Sequence, residues 1–326
     1  MKKSRYLFSL KLVLLFATLL LFINCNNNNN NETSNTLVTN PQDSIKKMIA
    51  RGDYLVNHVS RCLTCHSQRN FNQFSGPVVP GTEGMGGEEF GKNYHVQGIV
   101  YAKNITPDPD NGIGKWTDEE IARAITQGIN KTGDTLYRMM PFAHFNQMSK
   151  EDVYSIIAYL HTLKPNSNKV PERKLAVKAS VVYPSLKSSS LETNVKPDIM
   201  EMAKYGGYLV SSAACMDCHT PMKNNEYEQD KLLSGGLQFN MGSFVANSAN
   251  LTPDSATGIG SWSEQMFLDK FKLYRDASVY SANPGKNNSV MPWTAFTNMD
   301  DFDIKAIYRY LRTIPPVKNL VVKYPQ

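Results

Sequence analysis

The chain has 326 residues, 41% of them hydrophobic and 20% charged, with 35 basic against 29 acidic side chains and a formal net charge of +6. Without residues 1–24, which carry Lys2, Lys3, Arg5 and Lys11, the 35 basic residues fall to 31 and the balance to +2. The positive excess sits in a leader, so the charge gives no support to nucleic-acid binding, and the length allows more than one domain.

The N-terminus reads as an export signal over residues 1–24: three positive charges between Met1 and Arg5, then an apolar run from Leu12 to Ile23 that is short for a bilayer span. Leu21-Phe22-Ile23-Asn24-Cys25 resembles the lipobox of bacterial lipoproteins, with Asn24 where Gly, Ala or Ser is usual, which implies a lipid on Cys25. The alternatives are an ordinary signal peptide or an uncleaved anchor. Six asparagines, Asn26 to Asn31, and a polar stretch to Asp43 have almost nothing to bury, so residues 25–43 are expected to form a tether. The expected address is the periplasmic or outer-facing side of a bacterial membrane, with attachment through that lipid.

Two copies of Cys-x-x-Cys-His follow, Cys62-Leu63-Thr64-Cys65-His66 and Cys215-Met216-Asp217-Cys218-His219. Two thiols three positions apart on one helical turn reach both vinyl groups of a porphyrin, and the next side chain turns back to the iron. The pattern predicts two covalent haem c groups, on Cys62 with Cys65 and on Cys215 with Cys218, with His66 and His219 as proximal iron ligands. A disulfide, a redox dithiol or half a zinc site are the bland readings of Cys-x-x-Cys; here the pairs lie 153 positions apart and each is followed at once by His.

The landmarks repeat in order. Gly52-Asp53-Tyr54-Leu55-Val56 returns as Gly206-Gly207-Tyr208-Leu209-Val210, and Asn104-Ile105-Thr106-Pro107-Asp108 as Asn250-Leu251-Thr252-Pro253-Asp254. Gly112-Ile113-Gly114-Lys115-Trp116 returns as Gly258-Ile259-Gly260-Ser261-Trp262, and Met140-Pro141-Phe142 as Met291-Pro292-Trp293. This is a tandem duplication. It predicts one domain over residues 44–164, a Pro- and Ser-rich linker over 165–197 and a second domain over 198–326, each able to fold alone.

Helical signals dominate both halves. Ser44 to His58 leads into the first motif; Thr117 caps a helix opening Asp118-Glu119-Glu120; Ser149 opens one with Val153, Ile156, Ile157 and Leu160 on one face. Ser263 to Tyr274 and Asp300 to Thr313 repeat these. The fold class is therefore expected to be all-α, with two tandem domains each built around one covalent haem, which can serve as the core of a small helical domain. Gly52 and Gly207 are expected to let first and last helices cross closely near Tyr159 and Tyr310.

Met140 and Met291, each before Pro and 74 and 72 residues after the motif His, are the expected distal iron ligands. A thioether opposite His raises the potential and fills the sixth position, so the site passes electrons instead of binding substrate. Met139 competes for the first site, but only Met140 precedes Pro as Met291 does. His58, His95, His144 and His161 have no histidine counterparts in the second half and are expected to be surface or hydrogen-bonded residues. Trp116 and Trp262 are expected to pack against haem.

Across residues 50–320 these motifs resemble class I c-type cytochromes, and more narrowly the cytochrome subunits of periplasmic alcohol, aldehyde and related dehydrogenases. That resemblance implies the same proximal His and distal Met ligands, and redox partners of two kinds: a dehydrogenase as donor and an oxidase or soluble cytochrome as acceptor. Those subunits often carry three haems, where this chain has two motifs. No catalytic acid–base constellation stands out, so an electron carrier is expected in preference to an enzyme. The alternative is a dihaem oxidoreductase of peroxidase or thiosulfate dehydrogenase type, with one substrate-accessible haem.

Overall fold

Asn40 accepts the Gln42 amide through its side chain at 3.1 Å and Pro41 fills the first turn, so a helix starts here in the computed structural model, which describes residues 40–182, 186, 191–223, 226–281 and 283–325. The expected signal, tether and Cys25 lie outside the described residues, apart from the tether's last positions. Helix α1 (Pro41–Tyr54) continues as a π-helical turn over Leu55–Val59, whose Leu55, Val56 and Val59 are fully buried.

The first motif forms α2 (Cys62–Cys65), followed by strands β1 (Glu89–Phe90) and β2 (Gly98–Tyr101). Helix α3 (Asp118–Gln127) starts at a capping box in which Thr117 and Glu120 satisfy each other's backbone N–H groups. A one-turn α4 (Phe142–Phe145) and α5 (Lys150–Leu160), capped by Ser149, complete the first half. Strand β3 (Lys174–Leu175) and α6 (Ala179–Val182) come next. The second half repeats the order with α7 (Met202–Ser212), α8 (Cys215–His219), β4 (Met222–Lys223), β5 (Glu226–Tyr227), β6 (Gln238–Asn240), β7 (Val245–Asn247) and α9 (Glu264–Lys272). It closes with α10 (Ala277–Ser281), α11 (Trp293–Phe296) and α12 (Asp301–Leu311).

The chain is mostly helical but not all-α: three short antiparallel sheets, β1-β2-β3, β4-β5 and β6-β7, draw all their strands but β3 from the long loops between motif and Met. Segment 165–197 is also more than a linker. Its strand β3 pairs Lys174 with Ile99 and Leu175 with Gly98, Leu191 is buried, and the Asn194 side chain donates to the Asn146 and Met148 carbonyls at 2.6 and 3.2 Å.

Helix α1 crosses α5, and α7 crosses α12, at backbone contact. A Cβ on Gly52 would lie 1.9 Å from the Ser155 carbonyl oxygen, and one on Gly206 would lie 1.9 Å from that of Ala306. The second crossing therefore depends on Gly206, the residue that aligns with Gly52, and not on Gly207, which makes room for the Tyr310 ring instead.

Where the duplication predicts two separate cores, residues 40–326 form one compact unit with a core drawn from both halves. The join is reciprocal, like an isologous dimer interface within one chain. Tyr54 on α1 donates to Asp303 on α12 at 2.7 Å, and its counterpart Tyr208 on α7 donates to Asp152 on α5, also at 2.7 Å. Each tyrosine oxygen also accepts an amide at the start of the opposite helix, from Asp300 at 3.1 Å and from Ser149 at 3.3 Å.

Candidate functional site

Each motif helix begins after a residue in the left-handed region, Arg61 at φ 56° and Ala214 at φ 50°, which turns the chain sharply off the preceding helix. This turn and the reciprocal packing bring the two motifs together. Cys62, Cys65, His66, Met140, Cys215, Cys218, His219 and Met291 all line a single cavity of about 870 Å³.

Burial pushes all four thiols up, Cys62 and Cys218 to about 12 and Cys215 to about 11. They are protonated at neutral pH, the opposite of the lowered thiol a redox dithiol needs. A zinc site needs four converging ligands, whereas among the described residues no group of three or more His, Cys, Asp or Glu is placed to hold an ion.

The two imidazoles are set alike. His66 Nδ1 donates to the Lys103 carbonyl at 2.6 Å and His219 Nδ1 to the Ala249 carbonyl at 2.7 Å. A carbonyl only accepts, so Nδ1 holds the proton and Nε2 keeps a free lone pair; burial lowers both histidines, which keeps them neutral. The residue after each carbonyl explains a repeated motif. Asn104 Oδ1 accepts the Thr106 amide and hydroxyl at 3.0 and 2.7 Å while its Nδ2 donates to the Asn166 carbonyl at 2.7 Å; Asn250 does the same with Thr252 at 2.9 and 2.7 Å and with the Val317 carbonyl at 2.8 Å. The Asn-x-Thr-Pro-Asp segments thus fix the carbonyls that orient the histidines.

Met140 and Met291 sit in matching turns. The amide two residues on, of Phe142 or Trp293, donates to the Met carbonyl at 2.8 Å in both, and both side chains pack on the shared core. Met139 also lines the cavity but packs instead on a small separate cluster of Phe90, Val96 and Ala102. Trp116 and Trp262 line the same cavity. The four other histidines are all hydrogen-bonded: His58 to the Ala295 carbonyl at 3.1 Å, His95 to the Gln238 carbonyl at 2.7 Å, His144 to Asp217 at 2.7 Å and His161 to Asp118 at 2.8 Å. Three of them join the halves.

The cavity suits a large apolar group with acceptor substituents. Its walls include core residues of both halves, Ile121, Phe145, Phe267 and Leu311 among them, and at about 870 Å³ it is far larger than the gaps a close-packed interior keeps. Three donors on its wall, Arg61 Nε, Tyr94 Oη and Trp293 Nε1, are buried with no hydrogen-bond partner among the described residues, as hydrogen-bond sites for carboxylates of such a group would be. Sequence reasoning missed Arg61 and Tyr94, which repeat in no motif; Trp293 follows the second Met-Pro but has Phe142 as its counterpart.

No family profile matches the chain. It is similar to the cytochrome c subunit of the quinone alcohol dehydrogenase of Gluconacetobacter polyoxogenes, 31% identical over 302 residues that cover 87% of this chain and 59% of that protein. The fructose dehydrogenase cytochrome subunit of Gluconobacter japonicus is 30% identical over 288 residues, 84% of this chain and 54% of that one. A diheme cytochrome c-type protein of Cereibacter sphaeroides is 25% identical over 264 residues, 79% and 83% of the two chains. The chain spans a little over half the length of the dehydrogenase subunits it matches. With two Cys-x-x-Cys-His motifs facing one cavity, it is a homologue of the cytochrome c subunits of alcohol, fructose and gluconate dehydrogenases.

Proposed function

We propose that the chain is a dihaem c-type cytochrome that relays single electrons from an exported dehydrogenase to a downstream acceptor, an oxidase or a soluble cytochrome. The observation that carries this reading is the cavity lined at once by both motifs and both Met-Pro segments. Covalent haem c supplies the one-electron couple. Cys62 with Cys65 and Cys215 with Cys218 hold the two groups, and His66 and His219 offer neutral imidazole nitrogens fixed by the Lys103 and Ala249 carbonyls. Met140 and Met291 would offer their thioethers as the distal ligands, which would keep substrate off the iron and favour its ferrous state. Arg61, Tyr94 and Trp293 give the haem carboxylates buried donors. In this reading a lipid on Cys25 and the Asn-rich tether hold the protein at the exported face of a bacterial membrane. Among the described residues no helix is long and apolar enough to cross one.

The test is optical. The ferric thioether charge-transfer band of the wild type should account for two haems, and Met140→Ala and Met291→Ala should each remove one haem's share. A variant that leaves the band whole would remove that methionine from the ligand set.

A further inference from the structure

The second Met-Pro segment is gripped by a residue of the first half. Ser75, fully buried and at φ 69°, donates its hydroxyl to the Met291 carbonyl at 2.6 Å and accepts the Trp293 amide at 2.8 Å, so it brackets Pro292, which has no N–H of its own. Ser75 is itself held from both sides. Its amide donates to the buried Asn288 side chain at 2.9 Å, and Asn288 donates back to the Phe71 carbonyl at 2.8 Å. The Arg69 guanidinium, three residues past His66, donates to the Ser75 and Gly76 carbonyls at 2.6 and 2.8 Å. Beside it, Phe74 stacks on Tyr274 with ring centroids 5.2 Å apart, and Tyr274 lies on Trp293 at 4.8 Å.

The first Met lacks this arrangement. Among the described residues, no side chain of the second half hydrogen-bonds to the Met140–Pro141 backbone; its turn is held by local backbone bonds, Met140 amide to the Tyr137 carbonyl at 3.1 Å and Phe142 amide to the Met140 carbonyl at 2.8 Å, the second of which the Met291 turn has as well. The duplication is thus broken at this turn. The chain leaving the first motif reaches across and fixes the backbone of the second methionine.

We propose that Ser75 is the positioning residue for Met291, so that the first half completes the axial ligand set of the second haem. This rests on the reading that Met291 is that haem's distal ligand. A buried hydroxyl that both donates and accepts across one turn holds the Met backbone in register, and its loss lets the thioether swing off the iron more often. The sixth position of the second site then opens to an external ligand while the first stays shut.

The test uses the full chain and imidazole as external ligand. Ser75→Gly removes the hydroxyl while suiting the positive φ, so it isolates the two hydrogen bonds. Imidazole affinity should rise about tenfold at one haem only, as loss of a buried hydrogen bond predicts. In a Met291→Ala background Ser75→Gly should change nothing further. Asn288→Ala, which leaves the hydroxyl in place, should shift the same haem in the same direction by less, and it carries the test if Ser75→Gly does not accumulate. A wild type whose thioether band accounts for one haem, with Met291→Ala silent, overturns the ligand reading itself. A two-haem wild type in which Ser75→Gly changes neither affinity, or both equally, overturns the role of Ser75.

Discussion

Replacing the cysteines of either motif by alanine, Cys62 with Cys65 or Cys215 with Cys218, should leave no stably folded chain. The cavity they share is about 870 Å³ and is lined by core residues of both halves, such as Ile121, Phe145, Phe267 and Leu311, so loss of a bulky group there exposes core apolar surface to water. Because Leu55, Val59, Leu209 and Ile304 belong to one core, loss at one site is felt in both halves. Limited proteolysis of the exported chain, followed on gels stained for haem, measures this. Rapid degradation of both halves is expected; a monohaem chain as resistant as the wild type would show that the halves do not depend on each other.

The second large effect separates two carboxylates that the duplication makes equivalent. Asp152 accepts Arg51 Nε and Nη2, each at 2.8 Å, and the Tyr208 hydroxyl at 2.7 Å. Asp303 accepts two tyrosines, Tyr54 at 2.7 Å and Tyr205 at 3.3 Å, and among the described residues no cation is bonded to it. Burial pushes the Asp152 carboxyl up, but Arg51 and Tyr208 outweigh it and leave it below the usual range; for Asp303 burial wins and the group is raised. Asp152→Asn strands a half-buried guanidinium and should cost about 3 kcal/mol. Asp303→Asn keeps an acceptor for the tyrosines and relieves a buried charge, so it should lie within about 1 kcal/mol of wild type at neutral pH.

The pH slopes should oppose each other as well. The lowered Asp152 gives stability that is present above its unfolded value of about 3.9 and lost as pH falls through its folded value. The raised Asp303 favours the protonated fold, so its contribution is present below about 3.9 and lost as pH rises through its folded value. Denaturation midpoints of wild type and both variants across pH measure each sign. Equal costs for the two substitutions would refute the assignment of charge at this interface.

The motif residues that line the shared cavity stood out in the sequence because they recur at fixed spacing. Cys62, Cys65, His66 and their counterparts could be read directly, and the Met-Pro repeat singled out Met140 and Met291 among fourteen methionines. Helix starts at Thr117, Ser149 and Ser263 were legible too, since a side-chain oxygen before an apolar period has a local physical cause. What the sequence hid is long-range. A duplication shows that two halves are alike and says nothing about whether they share a core, so Tyr54 on Asp303 and Tyr208 on Asp152 had no sequence signal. The short strands are held by ladders of two or three residues, too brief for alternation to register. Ser75 is one polar residue in a loop, and only its two bonds around Pro292 distinguish it.

In the proposed electron relay both irons would be closed by protein ligands, and the spin state of the oxidised wild type reports that directly. Electron paramagnetic resonance of the ferric protein should show two low-spin centres of equal integrated intensity and no high-spin signal. One low-spin and one high-spin centre would contradict the account, because a substrate-accessible iron belongs to a dihaem enzyme.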